Sequence, residues 1–175
     1  YVGLPLAIKF SKYFQLVGFD LNLDRVKNLK KKIDTNNEIS RKILSNSKAY
    51  FTKDHKDINN CDVFIITVPT PISKNNNPNL LMLKKATKLI ANKVKKGNLI
   101  IYESTVYPGV TENICIPIIE KISNLKFYSN QNKNNKNIFY CGYSPERVNP
   151  GDKKNTIEKI SKLVSANDKK TLKAM

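Results

Sequence analysis

Short apolar runs alternate along this chain with segments whose apolar residues recur at helical spacing. Apolar runs predict strands at residues 15–20 (QLVGFD), 49–52, 62–68 (DVFIITV), 99–102 (LIIY) and 138–141. Apolar residues three to four positions apart predict helices at residues 4–14, 23–33, 38–44, 80–94, 110–122 and 157–164. Strands that alternate with helices indicate an α/β fold, and we expect a Rossmann-like, doubly wound, mostly parallel sheet.

Several segments allow a more detailed prediction. The 62–68 run is rich in β-branched residues, which is typical of a strand buried on both faces of a parallel sheet. The first two predicted helices each place apolar residues on one face, which are Leu4, Ala7, Ile8, Phe10 and Phe14 in the first, and Val26, Leu29 and Ile33 in the second. Residues 124–137 are polar and Asn-rich, and we expect a surface loop there.

Composition bounds the class of protein. The 175 residues carry a formal net charge of +17, which favours a polyanionic partner such as nucleic acid, an anionic membrane or a phosphorylated small molecule. Arginine, the usual residue for bidentate contacts to bases, occurs only at Arg25, Arg41 and Arg147. The abundance of Lys and Asn is also what an AT-rich genome encodes. We therefore favour compositional bias and expect no nucleic-acid partner, no membrane partner and a cytoplasmic protein.

The cysteines do not form a recognisable metal or disulfide pattern. Cys61, Cys115 and Cys141 are widely spaced, without a CxxC pair, and His55 is the only histidine. An odd and scattered set is typical of a reduced compartment, where the default role of each cysteine is that of a small buried apolar residue. We expect no metal.

Two residues near the start are typical of dinucleotide binding. Gly3 directly precedes a predicted helix, as does the last glycine of a G-x-G-x-x-G turn, whose backbone approaches a pyrophosphate. Asp20 ends the next predicted strand, where an acid accepts hydrogen bonds from the adenosine ribose and disfavours a 2′-phosphate. Asp20 could instead cap the following helix, but Asn22 is available for that role. The pair indicates NAD rather than NADP.

Polar turns follow two further predicted strands. Val68-Pro69-Thr70-Pro71 follows DVFIITV, and Glu103-Ser104-Thr105-Val106 follows LIIY. In open parallel sheets the ligand lies beyond the carboxyl ends of the strands, so we expect the hydroxyls of Thr70, Ser104 and Thr105 to line the crevice. Each turn taken alone is equally compatible with ordinary turn chemistry or capping.

The segment 143–152 (YSPERVNPGD) is rigid and polar. Its Glu146 and Arg147 are compatible with a surface ion pair of little energetic value. They are also compatible with a general base beside a cation that binds phosphate.

Five motifs together resemble one family. YVGLPLA, the strand ending in Asp20 with Arg25 after it, VPTP, ESTVYPGVTE and SPERVNPGDK are similar, in this order, to the UDP-glucose/GDP-mannose dehydrogenase family of NAD-dependent nucleotide-sugar 6-dehydrogenases. SPERVNPGDK resembles the branch that acts on UDP-N-acetylhexosamines of the GlcNAc, ManNAc or GalNAc type. The UDP-glucose branch has a second Glu where this chain has Pro150. UDP-glucose or GDP-mannose as substrate, and an inactive truncated remnant, stay open as alternatives.

The resemblance implies an activity and a set of roles. The family oxidises the C6 alcohol of the sugar to an acid in two NAD-dependent steps, through a thioester on a cysteine that water then hydrolyses. It implies catalytic roles for Glu146, which handles the water, and for Thr105 near the reacting centre. The implied cofactor residues are Tyr1, Val2, Gly3, Asp20, Arg25, Val68, Pro69, Thr70, Pro71, Ser104, Thr105 and Val106. The implied substrate residues are Glu146, Arg147, Val148 and Asn149.

The same resemblance implies that residues 1–175 are an N-terminally truncated NAD-binding domain. The strand and glycines expected before Tyr1, the central helix, the UDP-sugar-binding domain and the nucleophilic cysteine would lie outside this chain. We therefore expect a marginally stable fragment that is inactive alone. The full-length enzyme is expected to be a homodimer or larger assembly that serves surface polysaccharide synthesis.

Overall fold

The computed structural model describes residues 2–73, 75–132, 134–147 and 161–175, apart from the side chain of Asn130. The chain divides into two compact units, whose described residues are 2–59 in the first and 60–73, 75–132, 134–147 and 161–175 in the second. Each unit has its own parallel sheet, which agrees with the predicted α/β class.

The first unit is built on a pair of parallel strands. Its elements are α1 (Gly3–Phe10), β1 (Val17–Phe19), α2 (Leu23–Lys30), α3 (Arg41–Ser45) and β2 (Tyr50–Thr52). β1 and β2 pair in parallel, with Gly18 opposite Phe51. The helices and strands enclose one apolar core, which comprises Leu4, Ile8, Val26, Leu29, Leu44, Ala49 and Phe51. Each fully buried Val, Leu, Ile or Phe side chain contributes about 1.5–3 kcal/mol of hydrophobic stabilisation.

Both of the first two helices end earlier than predicted. α1 ends at Phe10, and Phe14 lies beyond it with 65% of its surface exposed. α2 ends at Lys30, and the left-handed backbone of Lys32 (φ 62°) turns the chain so that Ile33 is also exposed. The helical spacing of apolar residues therefore extends past the ends of both helices, to residues that are not part of the core.

The second unit contains a sheet in the order β3-β4-β6-β5, with β7 paired to β6. Its elements are β3 (Val63–Ile66), α4 (Leu81–Ala91), β4 (Leu99–Tyr102), a π-helix (Thr111–Cys115), α5 (Ile116–Ser123), β5 (Lys126–Phe127), a 3₁₀ turn (Asn130–Asn132), β6 (Ile138–Tyr143), β7 (Ser165–Ala166) and α6 (Lys169–Ala174). The strands run parallel except β7, which is antiparallel to β6.

The centre of this sheet matches the prediction, and its edges do not. β4 has the predicted bounds, and all four of its residues are buried. In β3, Phe64 and Ile66 are buried whereas Val63 is half exposed, so the expectation of burial on both faces is wrong at this end of the strand. The predicted polar loop 124–137 contains β5, which pairs with β6 and escapes detection because two residues are too few to show a period.

A proline shapes the helix after β4. The sequence predicts one helix through Pro117, but the structure has a π-helix up to Cys115 and then α5, with Pro117 in its first turn. Proline lacks an N–H and clashes with the carbonyl four residues earlier, so it is tolerated at the start of a helical segment. The predicted helix 157–164 lies outside the described residues up to position 160, and residues 161–164 are not helical.

Candidate functional site

The start of α1 carries the residues predicted to face a pyrophosphate. Tyr1 lies outside the described residues. Val2 is buried, and its carbonyl accepts a hydrogen bond from the N–H of Leu6 (3.3 Å). Gly3 is the first helical residue, and no side chain caps this end of the helix. The first backbone N–H groups of a helix have no intrahelical acceptor, which makes this end suitable for an anion.

Asp20 lies where the sequence placed it, directly after β1. Its N–H donates to the carbonyl of Thr52 (3.1 Å), which extends the β1–β2 pairing by one residue. Its exposed carboxylate accepts a hydrogen bond from the N–H of Asn22 (2.8 Å). The predicted cap of α2 is confirmed, because the Asn22 side chain accepts from the N–H of Arg25 (3.0 Å). Asp20 is therefore not needed to cap the helix.

Arg25 takes part in a buried cluster that the sequence did not reveal. Its Nη1 lies 2.5 Å from Oδ1 of Asp34, whose side chain is fully buried. The same carboxylate accepts hydrogen bonds from the backbone N–H groups of Asn36, Glu38 and Ile39. Burial alone would raise the pKa of Asp34. The hydrogen bonds from Arg25, Ile39 and Asn36, with the charge of Arg25, hold that pKa below its ordinary value.

The second unit brings the two predicted polar turns together at the carboxyl ends of β3 and β4. The Ser104 hydroxyl donates to the carbonyl of Val68 (2.6 Å), and the Thr70 hydroxyl donates to the carbonyl of Thr105 (2.5 Å). These two bonds connect residues more than thirty positions apart, so segments 68–71 and 104–106 form one structural group. Of the three hydroxyls predicted to line the crevice, that of Ser104 is buried and holds the turns together.

The end of β6 reaches the same group. The N–H of Val106 lies 3.5 Å from the hydroxyl of Tyr143, which accepts the hydrogen bond. The N–H of Ser144 donates to the carbonyl of Tyr102 (2.9 Å), which extends the β4–β6 pairing past Tyr143. The segment that carries the predicted catalytic glutamate therefore leaves the sheet beside the 104–106 turn.

Glu146 lies two residues beyond this hydrogen bond. Its Oε1 accepts a hydrogen bond from the backbone N–H of Arg147 (2.8 Å), and its side chain is partly buried. Arg147 is exposed, and Val148 and Asn149 lie outside the described residues. The hydroxyl of Ser144 is buried and has no hydrogen-bond partner among the described residues. A buried hydroxyl without a hydrogen-bond partner is energetically unfavourable.

An ion pair at the end of β4 was not predicted. The carboxylate of Glu103 contacts the ammonium group of Lys162, and both side chains are largely buried. The N–H of Glu103 donates to the carbonyl of Ile66 (2.8 Å), which holds this residue in line with β3. The ESTV motif drew attention to Glu103, but no pattern in the sequence links it to a lysine 59 positions away.

The surroundings of the three cysteines disfavour the charged thiolate form. Burial raises the pKa of Cys61, Cys115 and Cys141, and the first of these is also raised by the charge of Asp62. Cys115 and Cys141 are buried as predicted, whereas Cys61 is only partly buried. Among the described residues, no group of three or more His, Cys, Asp or Glu side chains is arranged to hold a metal ion. No helix in the described part of the chain is both long and apolar enough to cross a bilayer.

Comparison with known proteins agrees with the motifs. The chain is 46% identical over 166 residues to UDP-N-acetyl-D-glucosamine 6-dehydrogenase of Pseudomonas aeruginosa, covering 94% of this chain and 37% of that protein. It is 44% identical over 165 residues to protein CapL of Staphylococcus aureus, again covering 94% and 37%. The chain therefore spans less than two fifths of the length of these relatives.

A solved structure shows the same fold. The UDP-D-ManNAc dehydrogenase of Pyrococcus horikoshii is 30% identical, with a TM-score of 0.83 over 99% of this chain and 41% of that one. The predicted Rossmann-like class is thereby confirmed. The model of the UDP-glucose/GDP-mannose dehydrogenase family, NAD binding domain, matches residues 1–175. The chain therefore belongs to the UDP-glucose/GDP-mannose dehydrogenase family, within its NAD binding domain.

Proposed function

We propose that the complete gene product containing this chain oxidises the C6 hydroxyl of a UDP-N-acetylhexosamine to a carboxylate in two NAD-dependent steps. The product would be a uronic acid for surface polysaccharide synthesis. The observation that carries this proposal lies in the second unit. Two polar turns at the ends of neighbouring parallel strands are hydrogen-bonded to each other, and the Glu146 segment leaves the sheet beside them.

The residues of the first unit fit NAD. Asp20 presents an exposed carboxylate at the end of β1, which suits the two hydroxyls of an adenosine ribose and repels a 2′-phosphate. The uncapped start of α1 at Gly3 suits the pyrophosphate. Arg25 stays a predicted contact on the adenosine side, although one of its nitrogens is already paired with Asp34. NAD, when bound, accepts the hydride in each oxidation step.

The second unit supplies the groups that we assign to substrate chemistry. Glu146 is the acid or base that handles the water in the final hydrolysis. Thr105, which we also assign to catalysis, presents an exposed side chain in the 104–106 turn. Arg147 is assigned to the substrate together with Val148 and Asn149, which lie outside the described residues. We assign the nucleophile to none of Cys61, Cys115 and Cys141, because burial raises the pKa of each of these thiols.

The choice of sugar rests on likeness. The P. aeruginosa relative is named for UDP-N-acetyl-D-glucosamine, and the motif SPERVNPGDK has Pro150 in place of the second Glu of the UDP-glucose branch. We therefore rank a UDP-N-acetylhexosamine above UDP-glucose and GDP-mannose. We further propose a cytoplasmic enzyme that is a homodimer or larger.

A panel of nucleotide sugars tests the proposal. The complete gene product is supplied with NAD and, separately, with UDP-GlcNAc, UDP-ManNAc, UDP-GalNAc, UDP-glucose and GDP-mannose, and NADH is followed by absorbance. We expect two NADH per sugar with one of the N-acetylated substrates and a uronic acid in the product by mass spectrometry. A higher kcat/KM with UDP-glucose or GDP-mannose would contradict the substrate assignment. Absence of NADH with all five would contradict the activity.

A further inference from the structure

Two contacts join the end of β4 to described residues that precede and follow Glu146 in the sequence. On one side the N–H of Ser144 donates to the carbonyl of Tyr102. On the other side Lys162 forms its ion pair with Glu103, the next residue along the chain from Tyr102. Two consecutive residues at the end of β4 therefore contact Ser144, directly after β6, and Lys162, three residues before β7.

A short antiparallel strand pair joins the chain before Glu146 to the chain after Lys162. Tyr143 lies opposite Ser165, and Gly142 lies opposite Ala166, in the β6–β7 pair. The Ser165 hydroxyl also donates to the carbonyl of Tyr143 (3.3 Å). The returning chain is thus fixed beside the departing one three residues after Lys162.

The ion pair has the properties of a positioning contact. Only 8% of the Glu103 side chain and 19% of the Lys162 side chain are exposed. Removing charges from water costs free energy that their attraction often fails to recover, so a buried ion pair is weak evidence for a gain in stability. It does impose one geometry on the two backbones it joins, because a buried carboxylate is strongly unfavourable in any arrangement that separates it from the cation.

Glu103 also borders the predicted cofactor turn. Ser104, the next residue, is fixed to Val68, and Thr105 accepts the hydrogen bond of Thr70. A contact between Glu103 and Lys162 therefore couples the position of the returning chain directly to the 104–106 turn.

We infer that Glu103 and Lys162 are positioning residues. Their ion pair, together with the Tyr143–Ser165 pairing, holds residues 143–147, which include Glu146, in register with the Ser104–Thr105 turn. The inference rests on the proposed function, because it assigns the ion pair to the step in which Glu146 acts. Neither Glu103 nor Lys162 is among the residues that we assign to the substrate or the cofactor. Its loss slows turnover while leaving NAD affinity in place.

The test compares single and paired substitutions in the complete gene product. The variants are Glu103→Gln, Lys162→Met, the apolar pair Glu103→Leu with Lys162→Met, and the conservative Lys162→Arg. Lys126→Met is the matched control, since Lys126 pairs with Glu120 at 3.9 Å on the exposed side of α5 and β5. The measurements are kcat, KM for the sugar, the Kd for NAD, the unfolding midpoint, and amide hydrogen exchange of residues 143–147.

Misplacement of a catalytic group by about 1 Å costs on the order of 100-fold in rate, so we expect each single variant to lower kcat by roughly 10- to 100-fold. We expect the Kd for NAD to stay within about twofold, because the Ser104–Val68 and Thr70–Thr105 hydrogen bonds still hold the predicted cofactor turn when the ion pair is lost. Amide exchange of residues 143–147 should be faster in the single variants. Lys162→Arg should retain most of kcat, and Lys126→Met should behave as the unmodified protein.

The apolar pair separates positioning from stability. This double variant should have the unfolding midpoint of the unmodified protein but a lower kcat. It therefore distinguishes positioning from stability even if the single variants do not fold. Recovery of kcat together with the midpoint would overturn the inference, as would single variants with unchanged kcat and unchanged exchange. If the unmodified protein oxidises none of the nucleotide sugars, the proposed function fails. Unchanged exchange at 143–147 in Glu103→Gln would then reject the positioning role on its own.

Discussion

The buried carboxylate of Asp34 organises the segment between α2 and α3, and replacing it with an isosteric amide should destabilise the first unit. Its two oxygens accept four hydrogen bonds, from Nη1 of Arg25 and from the N–H groups of Asn36, Glu38 and Ile39. In Asp34→Asn, the amide has only one acceptor oxygen, and its NH₂ faces donors whichever way it is turned. Two of the four donors therefore lose their acceptor.

The magnitude follows from that count. A hydrogen bond to a charged group contributes about 1.5–3 kcal/mol, so losing two should lower the free energy of unfolding by about 3 kcal/mol or more. This is a large share of the roughly 5–15 kcal/mol that holds a typical domain folded. Asp24→Asn is the matched control, because Asp24 is exposed in the first turn of α2 and should lose only about 0.3–1 kcal/mol of helix-dipole stabilisation.

Urea denaturation followed by circular dichroism measures the loss, and amide exchange at Glu38 and Ile39 localises it. The pH dependence provides an independent check. Because the folded-state pKa of Asp34 lies below its ordinary value of 3.8, its contribution is complete above that pH and is lost as the pH falls through the lower folded value. The difference between the unmodified protein and Asp34→Asn should therefore shrink in acid. Equal stabilities of Asp34→Asn and Asp24→Asn at neutral pH would refute this account.

Three further predictions test other parts of the chain. Asp20→Ala should weaken NAD binding by about tenfold in calorimetry, since a lost hydrogen bond to a charged group costs about 1.5 kcal/mol or more. Asn22→Ala, which removes the cap of α2, should instead lower the free energy of unfolding by about 1 kcal/mol and leave NAD affinity unchanged. Weaker NAD binding in Asn22→Ala than in Asp20→Ala would contradict the ribose assignment. Gly97→Ala should lower the free energy of unfolding by about 1 kcal/mol in thermal unfolding, because φ is 86° at this position. The added Cβ would meet nothing within 4 Å, so the cost comes from the backbone conformation and not from a clash. An unchanged midpoint would argue against this turn. Iodoacetamide should label partly exposed Cys61 before buried Cys141, since burial raises the pKa of both thiols but only the first is accessible; faster labelling of Cys141 would contradict its structural role.

The parts of the fold that the sequence predicted are those with a local cause. LIIY is short, wholly apolar and ended by a polar turn, and β4 has those bounds. Asn22 is the helix cap because its side chain reaches an N–H three residues away. β7, in contrast, exists only because Tyr143 pairs with Ser165, a contact that no local period encodes.

The candidate site shows the same division. The positions of Asp20 and of the turns at 68–71 and 104–106 follow from where strands end, and a pattern of strands can predict that. The buried charges were missed because their partners are distant or hidden in polar sequence. Asp34 stands among lysines and asparagines that indicate an ordinary loop, and nothing short of the folded structure shows that four donors converge on it.

The π-helix ahead of Pro117 makes the site sensitive to the length of this segment of the chain. One extra residue in a helical turn rotates everything upstream by about 100° relative to everything downstream, since a regular turn holds 3.6 residues. Val110 and Cys115 are both fully buried with this extra residue in place. A single-residue deletion between them would restore a regular helix and turn Val110 away from the core. The same rotation would change the direction from which the 104–106 turn enters the helix. The number of residues in this segment therefore fixes the rotation between the 104–106 turn and α5. A deletion here would displace candidate site residues that lie outside the deleted segment.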